Sequence, residues 1–384
     1  MSRSAVRARS LLALLPLVAA LWAAQAHSAV LPEDRADILW HRYSGGGVTI
    51  QGPSILVRKG FAERVSFSAN WYEDMVSSAS VDVKSYASPY KEKRTQYSLG
   101  ADYVRGKTTY SIGYTNSDEP DYVANTAFAS ISQDLFGDLT TITLGYQRGW
   151  NTVGQRDAPA FSERTDTRNY QIGLSQIITK NLIIGASYEA ITDEGYLNNP
   201  YRSVRSCDDT ACTTASFQAE RYPRTHTSNA AAVRARYHLP WRAAVYGEYR
   251  FYTDTWKVHA HTAQIGYTYP WKDDWVFDAN FRYYTQTQAD FYSDLFPRAN
   301  FANFLARDKE LSTFNSQSIG LEASYRFLKK DWHFLKKGTV NLHLDIMQFH
   351  YDNFRNIPAG GAPGTEPLYS FTANVTQLFF SFWF

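Results

Sequence analysis

The chain has 384 residues, 39 Lys and Arg against 37 Asp and Glu, a formal charge of +2, and 16% aromatic residues with 27 Tyr and 10 Trp; its mean hydropathy is −0.40. So weak a charge, with no basic run of binding length, excludes nucleic acid as a partner. Soluble cores do not need so many tyrosines and helical membrane proteins are not so polar, whereas a transmembrane β-barrel needs both, since half of each strand faces lipid and half faces water.

In chain order, Arg3, Arg7 and Arg9 precede an apolar run over 11–24 that ends in Ala24-Gln25-Ala26. This is the charged, apolar and small-residue succession of a secretory signal, with cleavage expected after Ala26. Residues 1–26 are thus read as the export signal and 27–384 as a single barrel domain. No later stretch approaches the ~20 apolar residues of a spanning helix. A membrane chain without such a stretch must close its strands into a barrel, because nothing else satisfies its backbone in lipid.

Period-2 alternation then recurs along the chain. Val65, Phe67, Ala69 and Trp71 alternate with small polar residues, and so do Tyr97, Leu99, Ala101 and Tyr103. The pattern returns in Leu182, Ile184, Ala186 and Tyr188, in Trp275, Phe277, Ala279, Phe281 and Tyr283, and in Ile319, Leu321, Ala323, Tyr325 and Phe327. Short connections at 59–60, 105–107, 136–138, 179–181, 239–241 and 270–273 alternate with longer ones near 74–93, 116–125, 150–166, 192–225, 288–312 and 352–368. Short periplasmic turns and long outer loops are the outer-membrane pattern, which places the long segments outside and the link near 328–338 in the periplasm. Gly45, Gly46 and Gly47 mark a turn after a first strand over 38–43. The expected fold is an all-β antiparallel transmembrane barrel of about 16 strands, with 14 as the fallback. At the C-terminus Thr376, Leu378, Phe380, Phe382 and Phe384 share one parity, and Phe380, Phe382 and Phe384 resemble the terminal signature read by the outer-membrane assembly machinery. That machinery, outer-membrane lipid and lipopolysaccharide are the expected partners. Cys207 and Cys212, the only cysteines, are expected to form a local disulfide in a surface loop.

Several segments resemble an uncharacterised Gram-negative family, domain of unknown function 3570. They are LPEDRAD over 31–37, HRY over 41–43 with the three glycines, GPSILVRK over 52–59, DMVSSAS over 74–80, LNNPYRSVR over 197–205 and LARDKELS over 305–312. The resemblance implies an outer-membrane location. Members are said to be encoded near a flavin-attaching transferase and a small lipoprotein, an association that makes a small lipoprotein a candidate partner and gives no mechanism. It supplies no catalytic residues to carry over.

Strand parity sorts the charged side chains toward the lumen, since a charge facing lipid at mid-depth costs several kcal/mol, ~2–4 for Arg. The lumen set is Arg64, Asp102, Glu189, Arg234, Arg236, Glu248, Arg250, Asp278, Arg282, Glu322, Arg326, His343 and Asp345. These residues form either a salt-bridged hydrated wall or a constriction whose opposed charges orient small polar solutes. Gly100, Gly113, Gly145, Gly173, Gly185, Gly266 and Gly320 fall on the same parity. A row of strand-interior glycines needs a cause, either curvature or room for a packed segment. His259 and His261 lie on the outer face, and His343 and Asp345 form a hydrogen-bonded pair on the inner one. No phosphate loop, nucleophile elbow or zinc-protease motif occurs, and no cofactor or metal is expected. Three functions stand: a channel or export/uptake conduit for a small polar solute or exported product, a non-transport barrel that binds a partner protein or lipoprotein, and a rim-site enzyme.

Overall fold

The computed structural model describes residues 29–77, 91–156, 158–328 and 334–384. The export signal over 1–26, most of the connection at 74–93 and part of the link at 328–338 lie outside the described residues. The strands are β1 (Arg35–Gly45), β2 (Val48–Phe61), β3 (Val65–Ser77), β4 (Lys91–Arg105), β5 (Thr108–Glu119), β6 (Tyr122–Leu135), β7 (Thr140–Gly154), β8 (Ser162–Thr179) and β9 (Leu182–Gly195). They continue with β10 (Ser203–Cys207), β11 (Ala215–Ala219), β12 (Thr225–His238), β13 (Ala244–Asp254), β14 (His259–Trp271), β15 (Trp275–Gln286), β16 (Phe314–Leu328), β17 (Lys337–Arg355) and β18 (Leu368–Trp383). Strands β10 and β11 form a separate hairpin, and the other sixteen close an antiparallel barrel in which β1 pairs with β18. The sixteen-strand reading holds.

Closure is made between the two ends of the chain. Arg35 stands opposite Trp383 and Ile38 opposite Phe380. The Phe384 N–H donates to the Asp34 carbonyl, and the Lys59 ammonium lies 5.0 Å from the centre of the Phe384 ring. Both termini therefore lie at one end of the barrel, and the long connections share the other, the mouth.

The outer wall is apolar because the register keeps one parity together from strand to strand. Phe281 faces Ile265 on β14 and Ile319 on β16, and all three are exposed on the outer surface. Rings collect toward both ends of this face. Tyr146 and Tyr170 lie 5.2 Å apart on the mouth side, and Tyr103 and Tyr110 lie 6.2 Å apart on the side of the termini. Amphipathic rings belong at membrane–water interfaces, so these two belts delimit an apolar band.

The strands outrun that band at the mouth, and this corrects two sequence boundaries. The expected connection at 116–125 is a two-residue turn, because β5 continues to Glu119 and β6 starts at Tyr122. A short connection between β13 and β14, at 255–258, lies on the mouth side where long ones were expected. Polar residues such as Asn116 and Asp118 mark where the chain leaves lipid, yet their backbones stay in the ladder opposite Asn125 and Val123.

The inward glycines have causes beyond the two proposed from sequence. At Gly113 an added Cβ would collide with the Phe128 ring at 2.1 Å, and at Gly266 with the Tyr246 ring at 2.1 Å. Glycine lets a neighbour's side chain lie flat along the wall there. Gly173 and Gly185 differ, since a Cβ would meet nothing nearer than 3.8 Å and 3.5 Å respectively.

Candidate functional site: a charged lumen beneath a tied lid

Twelve of the thirteen candidate lumen residues lie on barrel strands, and one does not. Arg64 belongs to the exposed turn between β2 and β3 and adds nothing to the wall; parity continues through a turn, but side-chain direction does not. The others pair locally. The Asp102 carboxylate accepts from Ser111 at 2.6 Å and Arg58 at 3.2 Å. Glu189 accepts from Asn169 at 2.8 Å and lies 3.4 Å from Arg250. Arg234 pairs with Glu248, and Asp278 accepts from the Tyr246 hydroxyl at 2.7 Å. His343 bonds Asp345 at 2.7 Å and lies 3.6 Å from Glu322. Arg326 donates to the Asp273 carbonyl, and Arg282 lies over the Tyr284 ring. Outside the wall, His261 and Tyr249 bond at 2.7 Å on the outer face.

The two halves of the lumen differ. On the inner face β12–β17 carry Arg234, Arg236, Glu248, Arg282 and Asp345, whereas β3–β8 offer chiefly Ser68, Ser98, Thr115, Ser130 and Thr143. Several charges stay open to solvent, with Arg234 61% and Glu322 43% exposed. No described segment packs among them.

The mouth is different, and sequence reasoning missed its design. The β10–β11 hairpin, the connection at 287–313 and the one at 356–367 fold onto one another as a lid. Backbone hydrogen bonds join Arg221 to Leu305 in both directions and Cys207 to Phe296. Val204, Phe296 and Leu305 form a small buried core. Beside it sits a buried ionic knot. Arg205 donates to Glu366 at 2.5 and 3.0 Å and to Asp294 at 2.6 Å, and Arg307 donates to Asp294 at 3.1 Å and to the Arg355 carbonyl at 2.9 Å. Burial by itself would lower the Arg205 pKa, but Glu366 and Asp294 outweigh it and hold the guanidinium above its usual value. Burial pushes Glu366 up and Arg205 more than compensates, so this carboxyl sits below the usual range. The Cys207–Cys212 disulfide closes the hairpin tip.

The lid crosses the barrel. Asp308 and Glu310 share a cavity of about 560 Å³ with Glu119 and Asp121, which belong to the β5–β6 hairpin on the far side from β15 and β16. Arg202 pairs with Asp308, and the Tyr201 hydroxyl donates to Asp121. The two segments 197–205 and 305–312 thus meet in space. Arg202 and Arg205 in the first and Arg307, Asp308, Lys309 and Glu310 in the second were the one signal the sequence offered.

Two histidines anchor the mouth. His226 lies between Asp193 at 3.1 Å and Asp254 at 3.0 Å. Burial pulls its pKa down, but the two carboxylates raise it to about 9. Its ring lies 4.2 Å from that of Trp256, which packs on Tyr222 and Phe291 of the lid. On the opposite wall His41 bonds Asp74 at 2.6 Å across β2. Gly52 lies between them in the register and offers no side chain, and Arg94 completes Asp74 at 2.7 Å. No group of three or more His, Cys, Asp or Glu suited to a metal occurs among the described residues.

The family model described as "Protein of unknown function (DUF3570)" matches residues 146–337, half of the chain. The chain belongs to this family. The match spans β8 to β16 and so includes most of the lid of this DUF3570 barrel. No curated protein sequence matches it. Among solved structures it is similar to a bacterial polysaccharide outer membrane secretin, at 7% identity and TM-score 0.49, covering 92% of this chain and 100% of that one. OmpT of Vibrio cholerae is similar at 10% identity and TM-score 0.45, over 92% and 99%. A Pseudomonas aeruginosa FadL homologue is similar at 9% identity and TM-score 0.40, over 92% and 90%.

Proposed function

We propose that this barrel is a gated channel of the outer membrane, an uptake or export conduit for small polar solutes, with the lid as its gate. The observation that carries the reading is the solvent exposure of the wall charges, with Arg234 61% exposed, below a lid tied across the mouth. A barrel serving only as a scaffold would gain by filling its interior with packed side chains, because isolated charges next to lipid-enclosed space are costly. Location in the outer membrane is supported by the apolar band between two aromatic belts and by the signal-like N-terminus. In that orientation the termini lie in the periplasm and the lid outside. An epitope inserted at Thr213, in the exposed hairpin tip, is then labelled on intact cells; labelling only after permeabilisation reverses the orientation.

Ions crossing a narrow lumen pass within the Debye length of its walls, ~8 Å at physiological salt. Arg282→Ser with Arg326→Ser therefore shifts the reversal potential toward cation selectivity in planar bilayers. Heat-modifiable gel mobility stays unchanged, because Arg282 pairs with no carboxylate among the described residues and Arg326 stands 3.7 Å from Asp274, which keeps access to solvent at the rim. A folded, conducting double variant with unaltered selectivity overturns the role given to these charges.

A further inference from the structure

We propose that the lumen holds a binding site for a small polyhydroxylated carboxylate, a sugar acid in chemical class, centred on Arg236. The proposal deepens the channel reading and rests on it for the route by which the ligand arrives. A cavity of about 450 Å³ opens on the inner wall where β7, β8 and β9 meet β12, β13 and β14. It lies at the seam between the charged and hydroxyl-bearing halves.

Arg234 and Arg236 both point into it from β12, but their situations differ. Arg234 is neutralised by Glu248. Arg236 has its guanidinium 5.2 Å from the centre of the Tyr246 ring and pairs with no carboxylate among the described residues. The Tyr246 ring is itself fixed, with its hydroxyl donating to Asp278 at 2.7 Å and its body lying across Gly266. A guanidinium seated on a fixed ring keeps its N–H edge free and pre-oriented, which suits the planar, two-oxygen geometry of a carboxylate. Across the cavity stand Thr143, Ser175 and Ser187, with Gln264 beside Glu248. These are neutral donors and acceptors matched to hydroxyl groups.

Depth comes from glycine. Gly173 and Gly185 form the floor, and unlike Gly113 and Gly266 they make room for no neighbouring side chain. Neither backbone has a positive φ, so nothing in the local conformation demands glycine. A valine would be accommodated at both positions and would suit a strand. The space they leave belongs to the cavity.

The test is titration calorimetry of the folded, detergent-solubilised full chain with gluconate, glucose and propionate. Gluconate binds, and the other two bind at least ~10-fold more weakly, each lacking one half of the recognition. Arg236→Ser reduces gluconate affinity ~10-fold or more. Gly173→Val with Gly185→Val abolishes binding while heat-modifiable mobility persists; should that pair fail to assemble, Arg236→Ser alone decides. Equal binding of gluconate and glucose, or gluconate binding indifferent to Arg236→Ser, overturns the site. Calorimetry is independent of conductance. Gluconate binding without conductance sinks the channel and spares the site, whereas conductance without gluconate binding does the reverse.

Discussion

For the gated channel proposed above, Arg205→Ala opens the lid and raises the fraction of time it conducts. The Arg205 and Glu366 side chains are each 3% exposed, so removing the guanidinium strands Glu366 and half of the support of Asp294 in a nearly water-free site. Breaking a buried ion pair by deleting one partner costs about 3–5 kcal/mol, chiefly because the remaining charge is uncompensated. A separation of the three connections, which readmits water to Glu366, relieves that cost without disturbing the sixteen-strand ladder. Open probability in bilayers should rise, and proteinase should cut within 287–313 in the variant while the wild type resists. A second substitution isolates the mechanism. Adding Glu366→Gln to Arg205→Ala removes the stranded charge, and Asp294 keeps Arg307 at 2.9 Å, so the double variant recloses in part. If Arg205→Ala leaves both open probability and cleavage unchanged, the knot does not hold the gate.

The wall was legible in the sequence and the lid was not, for a physical reason that particular residues make plain. Phe281 faces lipid because Ile265 and Ile319 stand beside it, and a period of two propagates that parity along each strand without knowledge of the neighbours. Asp102, Glu189, Glu248 and Asp345 could therefore be assigned an inward direction from spacing alone. Their partners could not. Arg58 meets Asp102 across 44 positions, a consequence of register, which alternation does not encode. The error at 116–125 has the same root. Polarity reports where water begins, whereas a strand ends where its ladder ends, and above the membrane the two part company.

The lid carries no periodicity at all. Arg205 and Glu366 are 161 positions apart, and each lies in a stretch that reads as ordinary polar loop. What joins them is the closure of the barrel, which brings the connections after β9, β15 and β17 to one rim. His41 and Asp74 were equally hidden. Their contact depends on the missing side chain of Gly52 in the strand between, and Pro53 after it reads from sequence only as an interruption.

Raising the pH through about 9 loosens the mouth in the wild type and has no such effect in His226→Gln. His226 faces Asp193 from β9 and Asp254 from β13, and Tyr252 donates to the same Asp254 oxygen at 3.0 Å. The imidazole's folded pKa of about 9 exceeds its usual 6.5. Its stabilising contribution is therefore complete below about 6.5 and is lost as pH rises through about 9. A shift of this size corresponds to ~3 kcal/mol at full strength, and solvent at the rim leaves ~2 kcal/mol of it. Asp254 works in the opposite sense: its pKa is lowered from 3.8, burial being outweighed by His226 and the backbone N–H of Val258. Its contribution is present above 3.8 and lost in acid below that, so the anchorage is complete from about pH 4 to 6.5. Loss of the imidazolium reaches the lid through Trp256, which packs against His226 and is gripped by Asp254 at its backbone N–H. Proteinase cleavage within 287–313, measured from pH 6 to 10, should accelerate in the wild type between about pH 8 and 10. His226→Gln, which carries no titrating proton and leaves a carboxylate unpaired, should be cleaved faster at pH 6 and at a rate nearly independent of pH. A wild-type profile that stays flat through pH 10, or a variant that keeps the wild-type slope, removes His226 from the gate.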